Sequence, residues 1–139
     1  AGAAKKGGIS PVVDVLDYGE YLQNSGLNLL CTPGNDVEST TAMAGSGANL
    51  IIFTTGLGTP TGNAITPVIK ISSNTSVFKK MSDIIDFNSG SVVEGTKTME
   101  SLSTELLDYI IQVASGEIKT KSMENRQYDF LPWKRDISL

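Results

Sequence analysis

The sequence contains no histidine and only one cysteine, Cys31, among its 139 residues. Without histidine, the chain cannot form a Ser-His-Asp or Cys-His triad, or a histidine-ligated metal site, from its own residues. A single cysteine cannot form an internal disulfide, and it is typical of a reducing, cytoplasmic compartment. Because no basic residue adjoins Cys31 in the sequence, we interpret it as a small core thiol and not as a nucleophile.

Long apolar runs and clustered basic residues are also missing. No run approaches the roughly 18–20 residues of a membrane span, so no membrane association is expected. The net charge is −4, and no Lys or Arg lies between Lys6 and Lys70. Nucleic acid is therefore excluded as an expected partner, because phosphate binding needs clustered basic side chains. Hydrophobic residues make up 40% of the chain, which is enough for one folded domain.

The first eight residues differ from the rest of the chain. Residues 1–8 are small and basic and lack an initiator methionine, so we interpret them as a linker or cloning remnant. Residues 9–139 then form one domain. This start is typical of a piece taken from a longer chain.

Apolar runs alternate with helical patterns along the rest of the sequence. Asn35 and Glu38 have the spacing of a capping box that begins a helix, and Thr98 can cap a later helix. The pattern predicts strands near residues 12–16, 27–31, 50–53, 67–72 and 84–87, and helices near residues 36–46, 75–81 and 98–115. Strands that alternate with helices indicate an α/β fold. We expect a three-layer α/β/α sandwich with a mostly parallel sheet of four or five strands, flavodoxin-like or Rossmann-like.

Two polar loops follow predicted strands and are the best candidates for a ligand site. Ligands bind parallel sheets at the carboxyl ends of the strands, so both loops should open on the same edge. The first is residues 32–36, and the second, residues 54–63, holds three glycines and several threonines. Neutral hydroxyl and amide groups suit a polyhydroxylated acid. The alternative is a plain turn-rich connection, although a loop of this length is uncommon unless it is functional.

Acidic residues gather before and within the first loop. Five carboxylates and no base lie between Lys6 and Lys70: Asp14, Asp17, Glu20, Asp36 and Glu38. Carboxylate oxygens can bind a divalent cation. The alternative, which we favour, is that Glu38 completes the capping box and Asp36 complements the helix dipole. Lys70 is the first base after this gap, and its ammonium points either toward the acidic group or outward.

Four segments resemble the altronate dehydratase (altronate hydrolase) family, to which galactarate dehydratase is related. They are residues 32–41, 53–63, 67–75 and 83–87. Residues 129–139 and the Gly62-Asn63 pair resemble the altronate branch in particular. The similarity covers nearly all of residues 9–139, in order.

The resemblance implies a sugar-acid lyase that converts D-altronate to 2-dehydro-3-deoxy-D-gluconate in hexuronate catabolism. It also implies that Fe²⁺ or Mn²⁺ serves the full-length enzyme, and that this chain is a C-terminal domain whose N-terminal and middle domains lie elsewhere. The metal ligands are unknown, and the fragment alone is expected to be inactive. A homodimer is a further candidate assembly.

We predict that loop residues contact the substrate and that two residues carry the ion or proton chemistry. The predicted catalytic residues are Glu38 and Lys70. The predicted substrate-binding residues are Asn35, Asp36, Ser39, Thr55, Gly56, Gly58, Thr59 and Asn63. The alternative is a structural or oligomerisation domain, with catalysis in the missing modules. A free-standing nucleotide- or flavin-binding domain is the poorest fit, because the Gly-x-Gly at residues 56–58 lacks its third glycine.

Overall fold

The computed structural model describes residues 7–134. The predictions for the first six residues, and for the family-like ending at 135–139, lie outside the described residues. The chain divides into two compact units: Ala1–Ala48 with Leu131–Leu139, and Asn49–Phe130. Among the described residues, no helix is both long and apolar enough to cross a bilayer.

Within residues 7–134, the two units contain five strands and five helices. The strands are β1 (Val12–Leu16), β2 (Leu27–Leu30), β3 (Ile51–Thr55), β4 (Val68–Ser72) and β5 (Phe87–Asn88). The helices are α1 (Asp36–Gly45), α2 (Thr75–Lys80), α3 (Gly90–Val93), α4 (Met99–Ala114) and α5 (Lys121–Glu124).

The first unit is built on a two-stranded parallel sheet. β1 pairs with β2 in parallel, with Val15 opposite Leu29 and Leu16 opposite Leu30, and the register shifts between Val12 and Asp14. Helix α1 begins after Asn35, whose side-chain oxygen accepts the backbone N–H groups of the first turn, as the capping pattern predicts. Residues 131–134 also belong to this unit, and the Trp133 ring meets the Tyr18 ring edge-on at 5.4 Å between centroids.

The second unit is built on a three-stranded parallel sheet, in the order β3-β4-β5. Every residue of the central strand β4 is buried, as expected for a strand covered on both faces. Ile69 and Ile71 of β4 pack with Val113 of α4 to form the core. Because side chains alternate along a strand, Lys70 points to the face opposite that core.

The predicted α/β class and the parallel strand pairing are confirmed, and the five strands of residues 7–134 divide between two sheets. The interpretation of Cys31 as a core thiol is wrong, because Cys31 is exposed where the chain leaves β2. The last strand is displaced from its prediction at residues 84–87, and begins only at Phe87. The N–H groups of Ile84 and Ile85 donate to the Met81 carbonyl instead. An apolar run of this length does not distinguish a strand from a buried turn.

Candidate functional site

An open cleft lies where the three strands of the second unit end. Its volume is about 340 Å³. The loops that follow β3, β4 and β5 line it, through Gly56, Ser73, Asn74, Thr75, Gly90, Val93 and Glu94. This is the position at which parallel sheets bind ligands, so we take the cleft as the candidate substrate site.

The loop after β4 is fixed by its own side chains. The Ser72 hydroxyl donates to the Asn74 carbonyl at 3.0 Å, and the Asn74 side-chain oxygen accepts the N–H groups of Ser76 and Val77 at 2.9 and 3.2 Å. The Ser73 side chain is exposed between them, and its hydroxyl has no hydrogen-bond partner within residues 7–134. A rigid turn thus presents a free hydroxyl to the cleft.

The loop after β5 packs closely against that turn. A Cβ atom on Gly90 would lie 2.5 Å from the Thr75 nitrogen and 2.6 Å from its hydroxyl, so only glycine fits there. The Thr75 hydroxyl also contacts the Asn88 side-chain amide at 3.2–3.3 Å. These contacts hold the two loops together on one side of the cleft.

The glycine-rich loop begins at the cleft and then turns away from it. The Thr55 hydroxyl accepts the Gly58 N–H at 2.9 Å. Gly58 has φ +90°, and a Cβ there would lie 2.4 Å from the sulfur of Met81, so the turn requires glycine. Of the predicted residues in this loop, Gly56 lines the cleft and Thr55 precedes it directly.

Lys70 lies beneath the middle of the same loop. Its side chain is fully buried, so the ammonium does not point outward, which was one of the two predicted orientations. Nζ is 3.4 Å from the Thr61 carbonyl and 3.5 Å from the Pro60 carbonyl. Both distances exceed those of a strong hydrogen bond. Next to them, the Gly62 N–H donates to a carboxylate oxygen of Asp129 at 3.0 Å. Lysine and aspartate together anchor the loop backbone.

The threonines of the loop bond to each other. The hydroxyls of Thr59 and Thr61 are 2.8 Å apart, and both residues are buried. Asn63 is buried as well, and its side-chain oxygen accepts the N–H groups of Ile65 and Thr66. Asn63 lines a separate pocket of about 200 Å³ near the start of β4. The structure therefore does not bring Asn63 together with Gly56.

The Asp86 carboxylate contacts Lys70, Tyr109 and Lys121, and we call these four residues the polar hub of this unit. The sequence did not identify Asp86 as a candidate. One carboxylate oxygen accepts the Lys70 N–H at 2.7 Å, and the other accepts the Lys121 N–H at 2.6 Å. The Tyr109 hydroxyl lies 3.5 Å from the latter oxygen. Asp86 thus joins β4, α4 and the start of α5.

Burial dominates the electrostatics of this hub. Desolvation raises the pKa of Asp86, although the N–H groups of Lys121 and Lys70 and the two lysine charges oppose the shift. Desolvation lowers the pKa of Lys70, with the charges of Asp86 and Asp129 opposing it. Burial, with the Asp86 charge and hydrogen bond, raises the pKa of Tyr109 to about 12.

The remaining predicted residues belong to the first unit. Asn35 caps α1, accepting the N–H groups of Val37 and Glu38 at 3.0 and 3.2 Å. The Ser39 hydroxyl donates to the Asp36 carbonyl at 3.0 Å. Glu38 is buried, and its carbonyl accepts the Tyr18 hydroxyl at 2.8 Å. This loop follows β2 of the first sheet, so the two loops do not share one sheet edge, and a pocket common to both stays a prediction.

Sequence reasoning missed most of the cleft. Ser73, Asn74 and Gly90 line the cleft. The sequence pattern predicted substrate contacts only in the glycine-rich loop and in the loop and first turn that begin α1. A signal was present: a run of Ser, Ser, Asn and Thr follows a strongly apolar strand. Polar residues directly after a parallel strand indicate a binding edge.

The side chains present do not form a metal centre. Within residues 7–134, no three His, Cys, Asp or Glu side chains come together as a ligand group, and the whole sequence has no histidine. A bound Fe²⁺ or Mn²⁺ would need such a group. The described residues therefore do not fit such an ion by themselves.

Comparison with known sequences identifies the family. The chain is 44% identical to an altronate dehydratase of Bacillus subtilis over 84% of its length, and 43% identical to that of Escherichia coli over 93%. It is 37% identical to the galactarate dehydratase (L-threo-forming) of E. coli over 87%. The chain spans only 23–25% of these relatives. A sequence model described as "D-galactarate/Altronate dehydratase, C-terminal" matches residues 1–138. The chain therefore belongs to the galactarate/altronate dehydratase family and corresponds to its C-terminal region.

Proposed function

We propose that the chain is the C-terminal part of a lyase that dehydrates D-altronate to 2-dehydro-3-deoxy-D-gluconate. In this proposal the cleft at the carboxyl ends of β3, β4 and β5 holds part of the sugar acid. The position of this cleft carries the proposal, together with the Ser73 hydroxyl that borders it. Identities of 43–44% to altronate dehydratases, against 37% to a galactarate dehydratase, favour altronate as the substrate.

The chemistry assigns different tasks to different parts of the site. Dehydration beside a carboxylate requires removal of a weakly acidic α-proton and protonation of the departing hydroxyl. The cleft supplies neutral hydrogen bonds that orient the polyol, through the Ser73 hydroxyl and the Asn74 amide. Lys70 holds the carbonyls of the glycine-rich loop and so fixes its shape. Roles for Glu38 and Lys70 in ion or proton chemistry stay predictions, as do the substrate contacts of the other loop residues.

Steady-state kinetics of the full-length enzyme with D-altronate test the cleft. We expect Ser73→Ala to lower kcat/KM roughly 2- to 10-fold, because one hydrogen bond contributes about 0.5–1.5 kcal/mol. Ser73→Asp should lower it further, mainly through KM, because a carboxylate there repels the substrate carboxylate. Turnover of galactarate, measured in parallel, tests the choice of substrate.

Ser76 provides the matched control. It is an exposed serine in α2, three residues away, and it does not line the cleft. Ser76→Ala and Ser76→Asp should leave kcat/KM unchanged. If the Ser73 variants behave like the Ser76 variants, the cleft does not bind substrate and the proposal is wrong.

Exposed apolar residues favour a second candidate function, which is assembly. Leu107 and Ile111 lie one turn apart on α4 and are 57% and 56% exposed. In this alternative, α4 forms a subunit or domain contact and the loops are scaffold. Sedimentation of the full-length Leu107→Glu variant separates the two candidates, since only the assembly function predicts a smaller oligomer. A homodimer, a cytoplasmic location and dependence on Fe²⁺ or Mn²⁺ stay predictions.

A further inference from the structure

The two-stranded sheet of the first unit has one apolar face that no described residue covers. Val15 and Leu29 are register partners on β1 and β2, so both point to the same face. Val15 is 66% exposed and Leu29 is 48% exposed. Val12 is the register partner of Leu27, which lies two residues before Leu29; Val12 is 48% exposed and extends this surface. We call Val12, Val15 and Leu29 the outer face.

The opposite face of the same sheet is covered. Leu16 and Leu30 are also register partners, and they lie with Met43 and Ser46, at the end of α1, around a pocket of about 190 Å³. Leu16 is only 4% exposed. Helix α1 therefore protects one face of the sheet.

This asymmetry conflicts with the physics of parallel sheets. The sequences of parallel strands are near-continuous apolar runs, because both faces of a parallel sheet are buried in folded proteins. The Val-Val-Asp-Val-Leu sequence of β1 has this character. A two-stranded sheet with one solvent-exposed apolar face has only marginal stability on its own. The outer face therefore requires a cover.

We propose that residues preceding this chain in the full-length protein cover the outer face. The matching family model describes a C-terminal region, and the chain spans only 23–25% of its relatives. About three quarters of the length of such relatives thus lies outside this region. Intramolecular docking of this kind benefits from a high effective concentration.

The charge of the first unit indicates the chemistry of the covering segment. Over its whole sequence this unit carries four bases and six carboxylates, so its side chains sum to a net charge of −2: Lys5, Lys6, Lys134 and Arg135 against Asp14, Asp17, Glu20, Asp36, Glu38 and Asp136. Complementary potentials favour a partner of opposite charge. The covering segment is therefore expected to present apolar side chains to Val15 and Leu29, with Lys or Arg at its rim.

Site-specific photo-crosslinking in the full-length protein tests this proposal. A photoreactive diazirine amino acid replaces Val15, and in a second variant it replaces Leu29; after irradiation, the cross-linked peptides are identified by mass spectrometry. We expect both positions to cross-link to residues that precede this chain in the same polypeptide. A matched variant with the label at Leu57, which is 89% exposed on the glycine-rich loop, separates this face from general surface reactivity.

Every other result overturns the proposal. Cross-links within residues 1–139, cross-links to a second copy that disappear on dilution, or reaction with solvent alone would each assign the face differently. Because the label itself can disturb folding, carbene footprinting of the unsubstituted full-length protein gives an independent measure. Val15 and Leu29 should lose labelling relative to Leu57, and equal labelling of the three residues rules out a cover.

Discussion

Replacing Asp86 tests whether the polar hub of the second unit is held by hydrogen bonds. Its carboxylate accepts two backbone N–H groups, from Lys70 at 2.7 Å and Lys121 at 2.6 Å. Asp86→Ala leaves both donors unpaired. A buried unpaired donor costs about 1–3 kcal/mol, so the variant should lose about 2–6 kcal/mol of local stability. Asp86→Asn keeps one acceptor oxygen, so it should lose about half as much.

Hydrogen–deuterium exchange of the full-length protein measures this loss without requiring two-state unfolding. Peptides containing Lys70 and Lys121 should exchange roughly 30-fold to 10⁴-fold faster in Asp86→Ala, because every 1.4 kcal/mol corresponds to a factor of ten. Asp83→Ala is the control, since Asp83 is exposed and only three residues away, and its effect should stay within about 0.5 kcal/mol. Unchanged exchange in Asp86→Ala would refute the reasoning, and equal losses in Asp86→Asn and Asp86→Ala would assign the effect to the negative charge, which both variants remove.

Two further predictions concern the same unit. Gly62→Ala should destabilise this unit by about 1–3 kcal/mol in thermal or urea unfolding, because the new Cβ would lie 2.1 Å from the backbone carbonyl oxygen of Gln127. Gly34→Ala is the control and should be neutral, because no atom lies within 4 Å of its Cβ. Equal effects of the two substitutions would contradict the steric argument. The pKa of Tyr109 is raised from 10.0 to about 12, so the folded state keeps a proton that the unfolded state loses, and stability should fall as the pH rises from about 10 to 12. An NMR titration of the tyrosine rings should show this pKa moving toward 10 in Asp86→Asn, and a Tyr109 that titrates near 10 in the unsubstituted protein would show that the hub does not shift it.

Local signals in the sequence predicted several elements correctly. Asn35 caps α1 as its spacing indicates, because a side-chain oxygen at that position satisfies N–H groups that the helix itself leaves unpaired. The central strand β4 follows from its apolar run. The extent of α4 agrees with the predicted helix near residues 98–115, and Leu102 and Val113 are its buried residues, whereas Met99 at its first turn is 67% exposed.

Features that depend on tertiary contacts could not be predicted in the same way. Lys70 stands in an apolar strand pattern, and nothing local shows that its ammonium lies beneath carbonyls only nine and ten residues earlier. The partners of Asp86 include the N–H of Lys121, which is 35 residues away. The division of the strands into two sheets likewise depends on pairing between distant segments, about which strand propensity carries no information.

The path of the chain has a practical consequence for anyone who wishes to dissect this protein. The polypeptide leaves the first unit after Ala48 and re-enters it at Leu131, where the Trp133 N–H donates to the Tyr18 hydroxyl at 3.0 Å. Neither a simple N-terminal nor a simple C-terminal truncation therefore isolates that unit intact. Deleting residues 131–134 removes part of a unit whose other segment ends more than eighty positions upstream. An excised version must therefore join two separate gene segments with a designed linker.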